Sequence, residues 1–194
     1  MFTLTVFLPY VLITTFTPGP NNLMSMYNAG TYGFKKTLPF ELGIFLGFFL
    51  VMASCGIFSL ALYSYLPAFH SFMTAIGSVY ILYLAWKIWQ EKPEQDTNRK
   101  KATNNISSGF LMQFINPKVI LYGLTLFSTF ILPYTTALPV LLSVALFLAT
   151  MALISNSCWA LFGSLFKTFL TTHYTWVNRI MALLLVYCAI SLFI

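Results

Sequence analysis

The sequence predicts an all-α integral membrane protein of six transmembrane helices, arranged as two inverted three-helix repeats with helices one and four broken at proline motifs. Three observations carry that expectation. Of 194 residues, 59% are hydrophobic and 7% charged, whereas charged residues make up about a quarter of an ordinary soluble domain. Apolar stretches that meet the roughly 20 residues needed to cross a bilayer recur six times along the chain. Helix breakers interrupt the first and fourth of these stretches at matching places.

The first span, 3–27, contains Thr17-Pro18-Gly19-Pro20-Asn21-Asn22. Pro18 and Pro20 each lack an N–H, so the carbonyls of Thr14 and Phe16 lose their helical partners. Gly19 offers a positive φ, and Asn21 and Asn22 offer caps for a restarting helix. In hydrocarbon such a break persists only where protein buries it or it lines a polar cavity. Upstream, Met1 to Thr5 carries no positive charge and leads to no small-residue cleavage site, so this segment reads as a retained span rather than a signal peptide.

The second span, 37–66, opens with Pro39 at a helix N-terminus. Its Gly43-x-x-x-Gly47 face allows close approach of another helix, and Leu66-Pro67 closes it. The third, 69–90, ends in Trp86 and Trp89, as suits an interfacial belt. A hydrophilic linker, 91–105, separates the halves. The fourth span, 108–131, breaks at Asn116-Pro117-Lys118 and stops at Leu132-Pro133. The fifth runs 137–166 and the sixth 175–194. The whole reads as one transmembrane domain, with repeat one at about 1–90 and repeat two at about 106–194.

Nine of the ten Lys/Arg residues flank the loops after spans one, three and five, and none flank the loops after spans two and four. The positive-inside rule makes the three basic loops cytoplasmic and puts both termini in the periplasm. The same distribution leaves no basic stripe with interleaved aromatics for nucleic acid, despite a net charge of +6. The halves also match one another at an offset that grows slowly from about 99 to about 104 residues: Pro18 with Pro117, Leu38-Pro39 with Leu138-Pro139, Ser54-Cys55 with Ser157-Cys158, Tyr83-Leu84-Ala85 with Tyr187-Cys188-Ala189. Repeats of three spans are inverted relative to one another, and broken helices at corresponding positions point to a secondary transporter's binding site.

Helix ends before a break present carbonyls, which favour a cation, and helix starts after it present N–H groups, which favour an anion. Two opposed breaks near the midplane therefore suit a zwitterion, of which an amino acid is the simplest. The expected substrate-binding residues are Thr17, Pro18, Gly19, Pro20, Asn21, Asn22, Asn116, Pro117, Lys118 and Asn156. Lys118 reads either as the holder of a carboxylate or as a lysine snorkelling to the interface. Asn156, with Ser155 and Ser157, reads either as a site wall or as an inter-helix hydrogen-bonding group. Glu41, the one acidic residue within a span, reads either as a proton carrier or as an interfacial carboxylate paired with a nearby lysine such as Lys36.

Cys55, Cys158 and Cys188 show no metal-ligand spacing and read as small buried hydrophobes. His70 and His173 stand alone at span ends. No metal or other cofactor is expected, and no nucleophile-base pair or paired carboxylates for an intramembrane enzyme are visible.

These motifs carry a family resemblance. Thr17-Pro18-Gly19-Pro20-Asn21, the Gly33-Phe34 turn, Leu42-Gly43-Ile44-x-x-Gly47 and Asn116-Pro117-Lys118 resemble the lysine-exporter (LysE/RhtB) family over nearly the whole chain. Within it, Thr17 to Asn22, Ile120-Leu121-Tyr122-Gly123 and Ala182 to Ala189 are similar to the cysteine/O-acetylserine exporters. The resemblance implies a bacterial inner-membrane exporter of small neutral amino acids, cysteine and O-acetylserine first, coupled to the proton gradient by alternating access. Homoserine or threonine export and a passive amino-acid channel are the alternatives, and homo-oligomerisation is left open. One departure stands out. Many members carry an acid where this chain has Phe48, which leaves free backbone ends as the expected holders of the substrate's ammonium.

Overall fold

The computed structural model describes residues 4–62, 104–166 and 172–190, with isolated positions at 79, 82, 83, 85, 86, 89, 90 and 169. Its described residues contain helices and no strands. In order these are α1 (Leu4–Phe16), α2 (Pro20–Tyr32), α3 (Phe34–Leu62), α4 (Ile106–Ile115), α5 (Pro117–Leu126) with a π-helical turn at Phe127–Ile131, α6 (Leu138–Leu165) and α7 (Tyr174–Ile190). Most of the expected third span, most of the linker, the Leu66-Pro67 end of span two and His70 lie outside the described residues.

Two stretches, Phe34–Ser59 and Leu138–Leu165, are each long and apolar enough to cross a membrane alone, and the pair Ile106–Ile115 and Pro117–Ile131 does so as one span bent by 61°. Both expected breaks are present. The first separates α1 from α2, and the second falls at Asn116. Span one continues further than expected, to Tyr32, because nothing interrupts the helix until Gly33. There φ is +89° and the N–H closes on the Ala29 carbonyl at 2.9 Å, a conformation that glycine adopts at little cost.

That turn also corrects the reading of Pro39. Since α3 begins at Phe34, Pro39 lies inside the helix rather than at its first position. The ring removes a bond to the Lys35 carbonyl, and this near-terminal turn is where such a loss is most easily made up by water.

α3 is packed chiefly on α4 and α6, and α2 on α6. Small residues make those contacts possible. A Cβ on Gly43 would collide with the Ile106 carbonyl, one on Gly109 with the Phe40 carbonyl, and one on Gly163 with the Met26 carbonyl. The Gly43/Gly47 face thus does what its spacing predicts, meeting α4 backbone to backbone. The opposite face of α3 exposes Leu38, Leu42, Leu46 and Leu50 at a four-residue interval. Apolar side chains therefore face outward, while Asn21, Asn22, Ser25, Asn28, Glu41, Gln113, Asn116, Ser155 and Asn156 are buried, the reverse of a soluble protein and the pattern of a helical membrane bundle. Cys55 is buried as expected, but Cys158 is exposed, because it lies on the outer face of α6. His173 is exposed and stacks on Phe169 at 4.7 Å.

Candidate functional site

The first break is held by side chains from distant parts of the chain. The Thr14 carbonyl, orphaned by Pro18, accepts from Thr17 Oγ1 at 3.0 Å. The Phe16 carbonyl, orphaned by Pro20, accepts from Trp159 Nε1 at 3.3 Å. Between them, the Thr15 carbonyl accepts from Asn22 Nδ2 and from Ser155 Oγ, both at 3.0 Å. The Thr17 carbonyl accepts from Asn22 Nδ2 at 2.9 Å and from Lys118 Nζ at 2.9 Å. Lys118 Nζ also reaches Thr17 Oγ1 at 3.1 Å and the Pro18 carbonyl at 3.4 Å.

The expectation of unoccupied backbone carbonyls is therefore corrected: the C-terminal end of α1 is already capped, in part by an ammonium. Nor does Asn22 cap α2. Its amide points back to α1, and the N-cap of α2 is Gly19, which supplies no side-chain cap.

Gly19 is also not in the left-handed region. Its φ of −168° and ψ of 175° are extended. The physical reason for glycine here is space, since a Cβ would lie 3.0 Å from both Cδ and Nζ of Lys118. The lysine stem runs over the bare backbone of Gly19.

The second break caps itself. Asn116 Oδ1 accepts from the Lys118 N–H at 3.1 Å, and Pro117 takes the first helical position, where its missing N–H costs nothing. Asn116 Nδ2 donates to Asn21 Oδ1 at 3.0 Å. Gln113 completes the junction, accepting from Asn21 Nδ2 at 2.8 Å and donating to Asn21 Oδ1 at 3.2 Å and to the Gly109 carbonyl at 2.9 Å. Asn21, Gln113 and Asn116 are all buried, so this polar knot ties the start of α2 to the α4–α5 bend where unmade hydrogen bonds would be costly.

Between the breaks lies a cleft lined by Gly19, Pro20, Asn21, Asn22, Asn116, Lys118 and Asn156, all expected from the sequence, together with Thr14, Thr15, Phe48, Val119, Tyr122 and Ala152. Its cavity volume is about 40 Å³, enough for roughly three water molecules. Among the described residues that line it, Lys118 alone is charged and none is an acid. Phe48 instead fills one side, with its ring 6.3 Å from that of Tyr122, which stacks in turn on Tyr10 at 5.9 Å. Asn156 leaves its Nδ2 without a partner among the described residues, as a wall aimed at a ligand would, while its neighbour Ser155 makes the inter-helix bond to Thr15.

Of the other expected residues, Thr17 and Pro18 hold Lys118, and Pro117 starts α5. Glu41 is outside the cleft. It is 1% exposed and its carboxylate oxygens make no bond meeting hydrogen-bond geometry among the described residues, so an interfacial carboxylate paired with a lysine is not what the fold contains. Ser25, on the facing helix, is one of its polar neighbours. The sequence reading missed Gln113 and Trp159. Gln113 had a visible signal, a lone amide in an otherwise apolar half-helix three residues before Asn116; Trp159 had none.

An all-helical bundle with apolar faces outward, buried amides inward and a charged cleft between two interrupted spans defines a multi-pass membrane translocator. The chain belongs to the LysE type translocator family, whose model matches residues 12–194, and such proteins move solutes rather than catalyse reactions. It is 43% identical to a cysteine/O-acetylserine efflux protein of Salmonella typhimurium strain LT2, across 98% of this chain and 97% of that one. It is 40% identical to the cysteine/O-acetylserine efflux protein of Escherichia coli strain K12, with the same coverage. No solved structure matches it.

Proposed function

We propose that the protein exports small neutral amino acids, cysteine and O-acetylserine foremost, across the bacterial inner membrane by alternating access around the cleft between the two breaks. The observation that carries this reading is the composition of the cleft among the described residues: one lysine, several amides, an N-terminus of α2 with no side-chain cap, and no acid. Such a site attracts a carboxylate and repels a side chain with a second positive charge. The relatives' names agree with that chemistry. With Phe48 in place of an acid, a lysine-like substrate has no anionic partner.

The six spans form two inverted repeats, about 1–90 and 106–194, in a single domain. Their long helices α3 and α6, of 29 and 28 residues, each follow a broken span. Two contacts support one cytoplasmic side for the basic loops: Asn104 Nδ2 donates to the Lys36 carbonyl at 2.9 Å, and the Arg179 guanidinium sits 5.7 Å from the Trp89 ring. Both termini are then periplasmic.

Coupling to the proton gradient is assigned to Glu41. Ser25 and Glu41 each lie eight residues from Gly33, in register across the α2–α3 hairpin, and Asn28 lies one turn from Ser25. Asn21, Ser25 and Asn28 share one face of α2, so a buried polar file leads from the Asn21 knot to this carboxyl. Ser25, Asn28 and Glu41 all retain polar atoms without partners among the described residues, a costly arrangement that a functional site justifies.

Counterflow in proteoliposomes with labelled cysteine, O-acetylserine, homoserine, threonine and lysine tests the substrate reading. Cysteine and O-acetylserine should exchange fastest and lysine should not exchange. Threonine or homoserine leading instead would move the assignment to homoserine/threonine export. Uphill flux driven by an imposed pH gradient, lost in Glu41→Gln, tests coupling, whereas flux indifferent to any gradient indicates a channel.

A further inference from the structure

The Lys118 ammonium sits where the substrate's ammonium is expected. It lies at the carbonyl end of α1, the negative pole of that helix, and on the second residue of α5, near that helix's positive pole. Its own helix therefore disfavours the charge there, and the α1 carbonyls compensate. Its stem occupies the groove left by Gly19 and so takes up part of a cleft that has room for only a few water molecules. An amino acid needs more room, and the flexible element at hand is this side chain.

We propose that Lys118 is a tethered stand-in for the substrate's ammonium: at rest it closes the cleft by occupying the Thr17 and Pro18 carbonyls, and a ligand enters by exchanging with it. The ligand's ammonium takes over those carbonyls, and the displaced Lys118 turns onto the ligand's carboxylate. The exchange keeps every carbonyl partnered and adds an ion pair, so charge balances only for a molecule that carries both groups. An amine without a carboxylate would put two ammonium groups in one cleft whose described lining holds no acid, and like charges there repel. An acid without an ammonium could pair with Lys118 but would leave the Thr17 and Pro18 carbonyls without their cation. The site thereby selects zwitterionic α-amino acids as a class, with Phe48, Tyr122 and Ala152 limiting the size of the side chain. This inference rests on the reading of the cleft as an amino-acid site.

The test compares wild type, Lys118→Met and Lys118→Arg in proteoliposomes. Labelled O-acetylserine counterflow is competed either by unlabelled O-acetylserine or by cysteamine, which is cysteine without its carboxylate. In wild type and Lys118→Arg, cysteamine should compete at least tenfold more weakly than O-acetylserine. In Lys118→Met, with the carbonyls vacated and no second ammonium present, that preference should shrink by tenfold or more. An unchanged preference in Lys118→Met overturns the stand-in role while leaving the amino-acid site intact. Absence of amino-acid counterflow in wild type overturns the transport reading, and the stand-in role with it. If Lys118→Met does not fold, Gly19→Ala, whose Cβ presses on Lys118, should loosen the preference in the same direction, and an unchanged preference there counts equally against the proposal.

Discussion

The two breaks solve one problem in different ways. At Asn116 a single residue ends one helix and caps the next through its own Oδ1, and its long-range tie is the Asn21 knot at the start of α2. At Thr17–Gly19 four consecutive carbonyls from Thr14 to Thr17 need donors, and only the Thr17 hydroxyl and Asn22 are local. The rest come from Lys118, Ser155 and Trp159, between 101 and 143 residues away. A break that depends on partners from α5 and α6 changes when those helices move, whereas a self-capped break moves as a rigid corner. The second break thus acts as the fixed frame and the first as the part that responds.

Predictions follow that asymmetry. Gly109→Ala has the largest effect, because a Cβ there meets the Phe40 backbone rather than a movable side chain. Overpacking of this kind costs about 1–3 kcal/mol, so detergent-solubilised protein should show a clearly lower melting temperature, and proteoliposomes no counterflow. Asn116→Ala comes next, removing a cap that is worth about 1 kcal/mol and loosening the Asn21 knot. Counterflow should fall by more than tenfold with only a modest fall in melting temperature; a fall confined to stability would mean that the rigid corner is merely structural.

Gly19→Ala should cut counterflow by roughly tenfold, the equivalent of about 1.4 kcal/mol, with melting temperature nearly unchanged, since Lys118 can be pushed aside. Trp159→Phe should have the smallest effect, a loss of about 1 kcal/mol for one unmade hydrogen bond to the Phe16 carbonyl. If it instead abolished transport while Asn116→Ala was tolerated, the roles given to the two breaks would be reversed.

Much of this was legible in the sequence because prolines and glycines act locally. Pro18 and Pro20 alone identify which carbonyls are orphaned, Asn116-Pro117 announces a self-capped restart, and Gly43-x-x-x-Gly47 predicts a backbone contact that Ile106 and Phe110 supply. What stayed hidden depends on pairing between distant segments. No local pattern says that Trp159 and Ser155 cap α1, or that Gly19 is needed as a groove for Lys118 rather than for a positive φ. Cys158 was misjudged for a related reason. A helix that is apolar on all sides does not reveal which face meets lipid, and only the seating of α6 on α2 and α3 decides it.

The central claim is that an amino acid occupies the cleft between the breaks, and thiol protection tests it most directly. In a background where Cys55, Cys158 and Cys188 are replaced by serine, Ala152→Cys puts a thiol on the cleft wall. Saturating O-acetylserine should slow its modification by a small methanethiosulfonate reagent several-fold, while leaving the rate for Leu46→Cys, on the outer face of α3, unchanged. Equal rates at the Ala152→Cys position with and without O-acetylserine, in protein that still carries out counterflow, would contradict the account.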